Sequence, residues 1–256
     1  MNLKLLIFLL PIAYVIRTLI FIYGSYLSRS KAKKLAKNSN QPFVSVIVPS
    51  RNEEDNIARC LKALSNSDYP QDYFEIIAVN DRSEDRTKEI IHSFESKINN
   101  LIVLDIANPS EKEVPGKPGA IQKALDIAKG EFILMTDADC KAHKSWIRKM
   151  VEAHTQNNAD LVASFTLVKG KSPFDRMQEV EWMYSHTIAS AGVELKLPLG
   201  CYGNNMSISK KLFLELGGYK KIAFSVTEDL ALLQAAHRAG ANLSYLTNLN
   251  STVKTY

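Results

Sequence analysis

Cysteine is scarce: Cys60, Cys140 and Cys201 stand far apart in 256 residues, with no C-x-x-C spacing. An odd, scattered set excludes a disulfide framework and a thiolate zinc site, and reduced cytosol is its simplest setting. Acid is missing from the first forty residues, which hold 7 of the 32 Lys and Arg and none of the 27 Asp and Glu. The rest of the chain carries 25 basic and 27 acidic residues, a net of −2, so the overall charge of +5 belongs to the N-terminus. No basic stripe remains for nucleic acid. The five histidines, His92, His143, His154, His186 and His237, show no H-E-x-x-H pairing and are expected at the surface or at caps. No internal repeat or low-complexity tract is visible. At 46% hydrophobic and 23% charged residues the composition also excludes wholesale disorder and a polytopic membrane protein. The length suits one α/β domain with a short appendage.

That appendage is apolar. From Leu5 to Leu27 the chain reads LLIFLLPIAYVIRTLIFIYGSYL, about the ~20 residues a helix needs to cross ~30 Å of hydrocarbon, interrupted by Pro11 and Arg17. Arg29, Lys31, Lys33, Lys34 and Lys37 follow it, against Lys4 before it, which puts the C-terminal side in the cytoplasm. A cleaved signal peptide would carry its positive charge on the other side and an A-x-A-like site; an interfacial helix tilted by Arg17 is the second alternative. The expected organisation is a transmembrane anchor over 1–28, a basic polar linker over 29–42 and a domain over 43–256, with the domain at the inner face of the cell or plasma membrane.

Within the domain, apolar runs of strand length recur at 43–48, 74–79, 101–106, 132–136 and 161–168. Between them lie NEEDNIARCLKAL, EDRTKEIIHSF, GAIQKALDIAKG and KSWIRKMVEAH, with apolar residues at three and four spacing; Gly130 is expected to cap the third. This alternation predicts an α/β fold with a mainly parallel central sheet and helices on both faces. After Thr166 the pattern loosens into an amphipathic helix around FDRMQEVEWMYSH, LPLGCYGNNMSIS, KKLFLELGGY, TEDLALLQAAHRAG and a short strand near LSYL.

In such a sheet ligands sit beyond the carboxyl ends of the strands, so polar residues just after the apolar runs are candidates. Strand one ends in Pro49-Ser50-Arg51-Asn52-Glu53, strand two in Asn80-Asp81-Arg82-Ser83, strand four in Asp137-Ala138-Asp139. Two carboxylates one residue apart suit a hard cation, Mg²⁺ or Mn²⁺, though D-x-D is also common at turns. Asp81 could accept from a uracil imide or a ribose hydroxyl, or cap the following helix. Gly116-Lys117-Pro118-Gly119, read as a loop before a helix at Ala120, could face phosphate; it lacks the Walker spacing. Glu228 and Asp229 could complement a helix dipole, or a carboxylate there could act as general base. Trp182 and Tyr184 are expected in the core, with sugar stacking as the alternative.

Taken in order, VSVIVPSRNEEDNI, VNDRSEDRT, GKPGAIQKAL, MTDADC, GNNMSISKKLFLELGGY and TEDLAL resemble the family 2 glycosyltransferases, especially the membrane-attached group of cellulose, chitin and hyaluronan synthases. The resemblance covers residues 43 to about 240. It implies a GT-A nucleotide-sugar-binding fold and inverting transfer of a sugar from a nucleoside diphosphate, UDP with GDP as the alternative, to a hydroxyl of a glycan or lipid-linked acceptor. It assigns Pro49, Arg51 and Glu53 to the nucleoside pocket, Asp81 to the base and Lys117 to the diphosphate. Asp137 then belongs to the ribose or metal shell and Asp139 to the metal. Gly203 and Asn204 would line the region between donor and acceptor, with Asp229 as base and Glu228 supporting it. The Q-x-x-R-W motif of the processive synthases is absent, so the sequence reads as C-terminally truncated. Rival readings are a membrane-tethered nucleotide-sugar binder without turnover and a haloacid-dehalogenase-type phosphotransferase. The latter wants its Asp on strand one, which here ends in Pro-Ser-Arg-Asn.

Overall fold

β1 (Val44–Ser50) is built from VSVIVPS, an apolar run that needs cover on both faces and so belongs at the centre of a sheet. The computed structural model, which describes residues 3–32, 41–170, 172–222 and 225–255, puts it there. β1 runs parallel to β2 (Phe74–Asp81) on one side and β4 (Phe132–Met135) on the other, and β3 (Leu101–Ile106) continues beyond β2. β8 (Met206–Ser209) lies antiparallel between β4 and β6 (Leu161–Ser164), and β9 (Leu243–Leu246) closes the order β3-β2-β1-β4-β8-β6-β9. A second sheet joins β5 (Lys141–Ala142), β10 (Val253–Thr255) and β7 (Thr166–Val168). The expectation of a mainly parallel sheet is met, with β8 as its antiparallel strand.

Alternate residues of β1 feed two cores. Val44, Val46 and Val48 pack with α2 (Ile57–Ser65), α3 (Thr87–His92) and α5 (Trp146–Asn157) through Ile57, Leu61, Ile91 and Trp146. Ile47 faces the other way, toward α4 (Gly116–Ile127), α6 (Pro173–Glu194) and α9 (Glu228–Arg238) through Ile121, Ala189 and Leu232. Helices therefore cover both faces. The short α7 (Lys210–Glu215) and α8 (Gly218–Lys221) are separated by Gly217, whose φ of +78° is left-handed and favours glycine.

Several boundaries differ from the sequence reading. The run 161–168 is two strands in different sheets, β6 and β7, and the loosened stretch before Lys210 hides β8. α4 starts at Gly116, so Lys117 sits on a first helical turn and not in a loop. Gly130 is no left-handed cap: α4 ends at Ile127 with Ala128 as its C-cap, and a Cβ on Gly130 would lie 2.3 Å from the Ser45 nitrogen, so close strand approach is its reason. Two histidines are core residues. His154 stacks on Phe132 (4.2 Å) and is held by Ala159 O and Ser207 Oγ; His186 stacks on Phe165 (4.9 Å) and accepts from Thr166 N.

α1 (Leu3–Ala32) continues four residues past the expected anchor boundary, and residues 33–40 of the expected linker lie outside the described residues. Its segment Leu9–Ser28 has mean hydropathy 1.5 and the length to cross a membrane, and is exposed for most of its course. It touches the domain through α6: a Cβ on Gly24 would meet Ala191 O at 2.9 Å, so a small residue lets the helices approach closely. Ser28 is buried there, its hydroxyl donating to Tyr245 O.

Burial holds His154 neutral, its pKa pushed down to about 4, and His186 likewise to about 3. Because both folded values lie below 6.5, the unfolded chain binds more protons on acidification. Their stabilising contribution is complete above pH 6.5 and is lost as pH falls from there through 4 and 3. Urea unfolding should show a midpoint that drops between pH 7 and pH 5. In NMR titrations neither ring should protonate above pH 5, while His92, raised by hydrogen bonds to Glu95 and Asp105, should titrate above 6.5. A buried ring titrating near 6.5 would contradict this.

Candidate active site

From β1 the chain steps outward to β2 and β3, then returns to β4 on the other side of β1, which opens a crevice beyond the carboxyl ends of these strands. A cavity of ≈ 310 Å³ occupies it, lined by Pro49, Ser50, Arg51 and Glu53 from the end of β1, Asp81 and Arg82 from β2, Gly116, Lys117 and Ala120 from α4, and Asp137, Ala138 and Asp139 after β4. Seven of the donor and metal residues expected from sequence, Pro49, Arg51, Glu53, Asp81, Lys117, Asp137 and Asp139, thus meet in one place, whereas Gly203 and Asn204 do not line this cavity.

The two loops at the strand ends are laced together. Asn52 N donates to Ser83 Oγ, Glu84 N to Asn52 Oδ1, Glu53 N to Thr87 Oγ1 and Glu54 N to Asp85 Oδ2. Asn52 and Arg82 take left-handed backbone, φ 55° and 57°, which turns the chain sharply at both strand ends. This bracing presents Arg51 and Glu53 from one side and Asp81 from the other. Asp81 is buried, receives Arg82 Nε at 2.8 Å and forms a close ion pair with Lys112. Burial alone would raise its pKa, but these cations hold it below the usual carboxylate range. Lys112 also donates to Gly116 O at 2.9 Å, which ties the Asp81 end of the cleft to the first turn of α4.

Lys117 sits between two carboxylates, 2.6 Å from Asp137 Oδ1 and 3.4 Å from Glu228 Oε1. Burial works against its charge, yet Asp137 and then Glu228 hold its pKa above the ordinary lysine value. Asp137 Oδ1 is buried against the Lys117 ammonium, its charge partner there. Asp139 accepts from Thr255 Oγ1 at 2.8 Å and from the Cys140 thiol at 3.3 Å. Glu53 is pushed up, first by burial and then by repulsion from Asp139 and Asp137. Among the described residues no group of three or more His, Cys, Asp and Glu converges as a metal cage. The donor set still fits a cation of the Mg²⁺ type, which takes one or two carboxylates plus phosphate oxygens.

Gly203, Asn204, Glu228 and Asp229 form a second group, joined to the cleft by the Lys117–Glu228 pair. Asp229 Oδ2 accepts from Gly203 N at 2.8 Å and Oδ1 from Leu230 N at 2.7 Å, which fixes the carboxylate while leaving each oxygen a lone pair. Asn204 points into the core, where its Oδ1 accepts from Thr166 Oγ1. Trp182 stacks on Tyr202 at 5.0 Å beside Gly203, whereas Tyr184 is exposed and not a core residue. The three cysteines are free and buried, and burial raises each thiol's pKa, so none is an activated nucleophile.

Sequence reasoning missed two residues in this arrangement. Lys112 and Thr255 belong to no motif; only the three-dimensional pairing with Asp81 and Asp139 singles them out, while Arg82, named at the end of strand two, has no role assigned there.

The chain matches the profile of glycosyl transferase family 2 over residues 45–217. It is 33% identical over 141 residues to glycosyltransferase AglE of Haloferax volcanii, covering 54% of this chain and 45% of that protein. The chain spans about half the length of the curated relatives it matches. Its fold resembles the mannosyltransferase PcManGT of Pyrobaculum calidifontis, in complex with GDP-Man and Mn²⁺, with TM-score 0.65 and 21% identity over 94% of this chain and 66% of that one. It also resembles TarS of S. aureus in complex with UDP-GlcNAc, with TM-score 0.57 and 22% identity over 80% and 58% of the two chains. The architecture is GT-A-like, as the sequence resemblance implies.

The buried Asp81–Lys112 pair generates a test. Lys112→Met should lower unfolding stability by about 3 kcal/mol, the lower end for breaking a buried ion pair, because Arg82 still faces Asp81. Urea denaturation reads this directly; a loss under about 1 kcal/mol would mean that Asp81 is solvated well enough to dispense with Lys112.

Proposed function

The chain belongs to glycosyl transferase family 2, and on that footing we propose that it transfers a sugar with inversion from a nucleoside diphosphate donor, UDP in the first instance, to a hydroxyl acceptor at the cytoplasmic membrane face. The observation that carries this reading is the junction at Lys117, which touches a donor-side carboxylate, Asp137, and an acceptor-side one, Glu228, at once.

In this reading Asp81, held ionised by Arg82 and Lys112, accepts from the nucleobase, and Pro49, Arg51 and Glu53 enclose the nucleoside. Lys117 exchanges its ion pair with Asp137 for the diphosphate, so its charge meets the negative charge that develops on the leaving group. Asp137 and Asp139 would hold a divalent cation, Mg²⁺ or Mn²⁺, which supplies charge compensation to the diphosphate. Asp229 takes the proton of the acceptor hydroxyl through the lone pairs that Gly203 N and Leu230 N leave free, while Glu228 holds Lys117 at the boundary of the two halves. One displacement at the anomeric carbon inverts its configuration. The S. aureus neighbour's complex favours UDP and the P. calidifontis one keeps GDP as the alternative. The acceptor reading, a glycan or lipid-linked molecule, rests on α1 as an anchor over its apolar length, with the soluble domain following it.

A binding panel of UDP- and GDP-sugars, with and without Mn²⁺, tests family, nucleotide and metal together; no binding by any donor would overturn the reading. Asp139→Ala should lose both donor binding and turnover. Asp229→Asn should bind UDP nearly as wild type and lose ~10²–10⁴-fold in transfer, because a base acts only when the proton moves. Transfer within a few-fold of wild type would leave Asp229 as a helix-start residue, since Asn caps helices well.

A further inference from the structure

α6 presents an apolar face that the enzyme reading does not use. Ser172 caps the helix, accepting from Asp175 N, and Pro173 follows at its first position, so the helix is well started in sequence terms. Its later half is core: His186, Ala189, Ser190, Ala191 and Val193 are buried. Its first half is not. Phe174, Met177 and Val180 are 66%, 70% and 68% exposed, and Met183 and Tyr184 are exposed as well. Phe174, Met177, Val180 and Tyr184 succeed one another at spacings of three, three and four, the ridge of one helix face, away from Trp182, which stacks on Tyr202.

This face is continuous with α1. The two helices meet where Gly24 rests on Ala191, and a groove of ≈ 380 Å³ opens between them, with Tyr14, Arg17, Phe21 and Ile22 on one wall and Tyr184 and Ile188 on the other. The groove residues mostly precede Gly24 and Ala191 in their own helices, so the exposed first half of α6 lies beside the apolar length of α1. Asp175, Arg176, Glu179 and Glu181 interrupt the first half of α6, which makes it too polar to span but leaves it able to lie in the interface with its charged side chains, Arg176 among them, reaching to the headgroup layer.

We propose that the first three turns of α6 are seated in the membrane interface, with Phe174, Met177, Val180 and Tyr184 in the acyl boundary beside α1. The occupant of this face is the lipid bilayer, because the face prolongs the exposed apolar surface of a helix with the length to cross one. The proposal rests on the reading of α1 as an anchor. It has a consequence for the site: Trp182, on the face of α6 turned away from this ridge, stacks on Tyr202, next to Gly203, whose N–H holds Asp229, so α6 lies between the lipid and the loop that fixes Asp229.

The three native cysteines are buried, so single introduced thiols can be labelled. The full chain carrying Val180→Cys or Val15→Cys, each labelled with an environment-sensitive nitrobenzoxadiazole, is reconstituted into phosphatidylcholine–phosphatidylglycerol vesicles with or without acyl-chain nitroxides. The expected result is blue-shifted emission at both positions, quenched by the nitroxide lipids and protected from aqueous iodide. Water-like emission at 180 with quenching at 15 overturns the proposal and leaves the anchor reading intact. Blue-shifted emission at 180 without nitroxide quenching also overturns it, since protein, a second copy or another segment, would then cover the face. Absence of quenching at both positions overturns the anchor reading and this one together.

Discussion

The cleft depends on charge balance in a half-buried place. Glu53, Asp81, Asp137, Asp139, Glu228 and Asp229 converge from the ends of β1, β2, β4 and the start of α9, and water cannot screen all of them fully. Asp81 is satisfied internally by Arg82 and Lys112. Asp229 is held by two backbone N–H groups. The Asp137–Asp139 pair has Lys117, a threonine hydroxyl and a thiol, and its excess negative charge reaches as far as Glu53, whose pKa it helps burial to raise. A site with this deficit of positive charge is stabilised by a cation, and a cation so placed is in turn a place for diphosphate oxygens. Lys117 is the movable member: it can leave Asp137 for an incoming phosphate without leaving Glu228.

The sheet makes that convergence unavoidable. Parallel strands deliver all their carboxyl ends to one edge, and the reversal of strand order around β1 leaves the gap there. For this reason the meeting of these residues was legible in the sequence: Asp81 and the Asp137–Asp139 pair each come just after a run of four or more apolar residues, and such runs are read from composition and period. The second half was less legible for an equally physical reason. β8 is antiparallel and four residues long, and 161–168 divides between two sheets at Phe165, so neither has the length at which period identifies a strand. Lys112 and Thr255 act through pairing across the fold, 31 and 116 residues from their partners, and no spacing rule reaches either. His154 and His186 misled because their polarity is hidden: each satisfies its ring nitrogens inside the core, which a sequence pattern does not reveal.

α6 links the chemistry to its surroundings. One end is core, the other is apolar and exposed beside α1, and in between Trp182 and His186 both pack against Tyr202, the residue before Gly203. The same helix thus joins the exposed apolar surface beside α1 to the loop that fixes Asp229.

The central claim, that the carboxylate cluster is completed by a cation and a nucleoside diphosphate together, is tested most directly by the affinity of the chain for Mn²⁺, read by electron paramagnetic resonance, in the absence and presence of UDP. The account predicts weak Mn²⁺ binding alone, because Lys117 already engages Asp137. It predicts binding at least about tenfold tighter with UDP, equivalent to a coupling of about 1.4 kcal/mol, and loss of that gain in Asp139→Ala. Equal Mn²⁺ affinity with and without UDP, or a gain that survives Asp139→Ala, would contradict it.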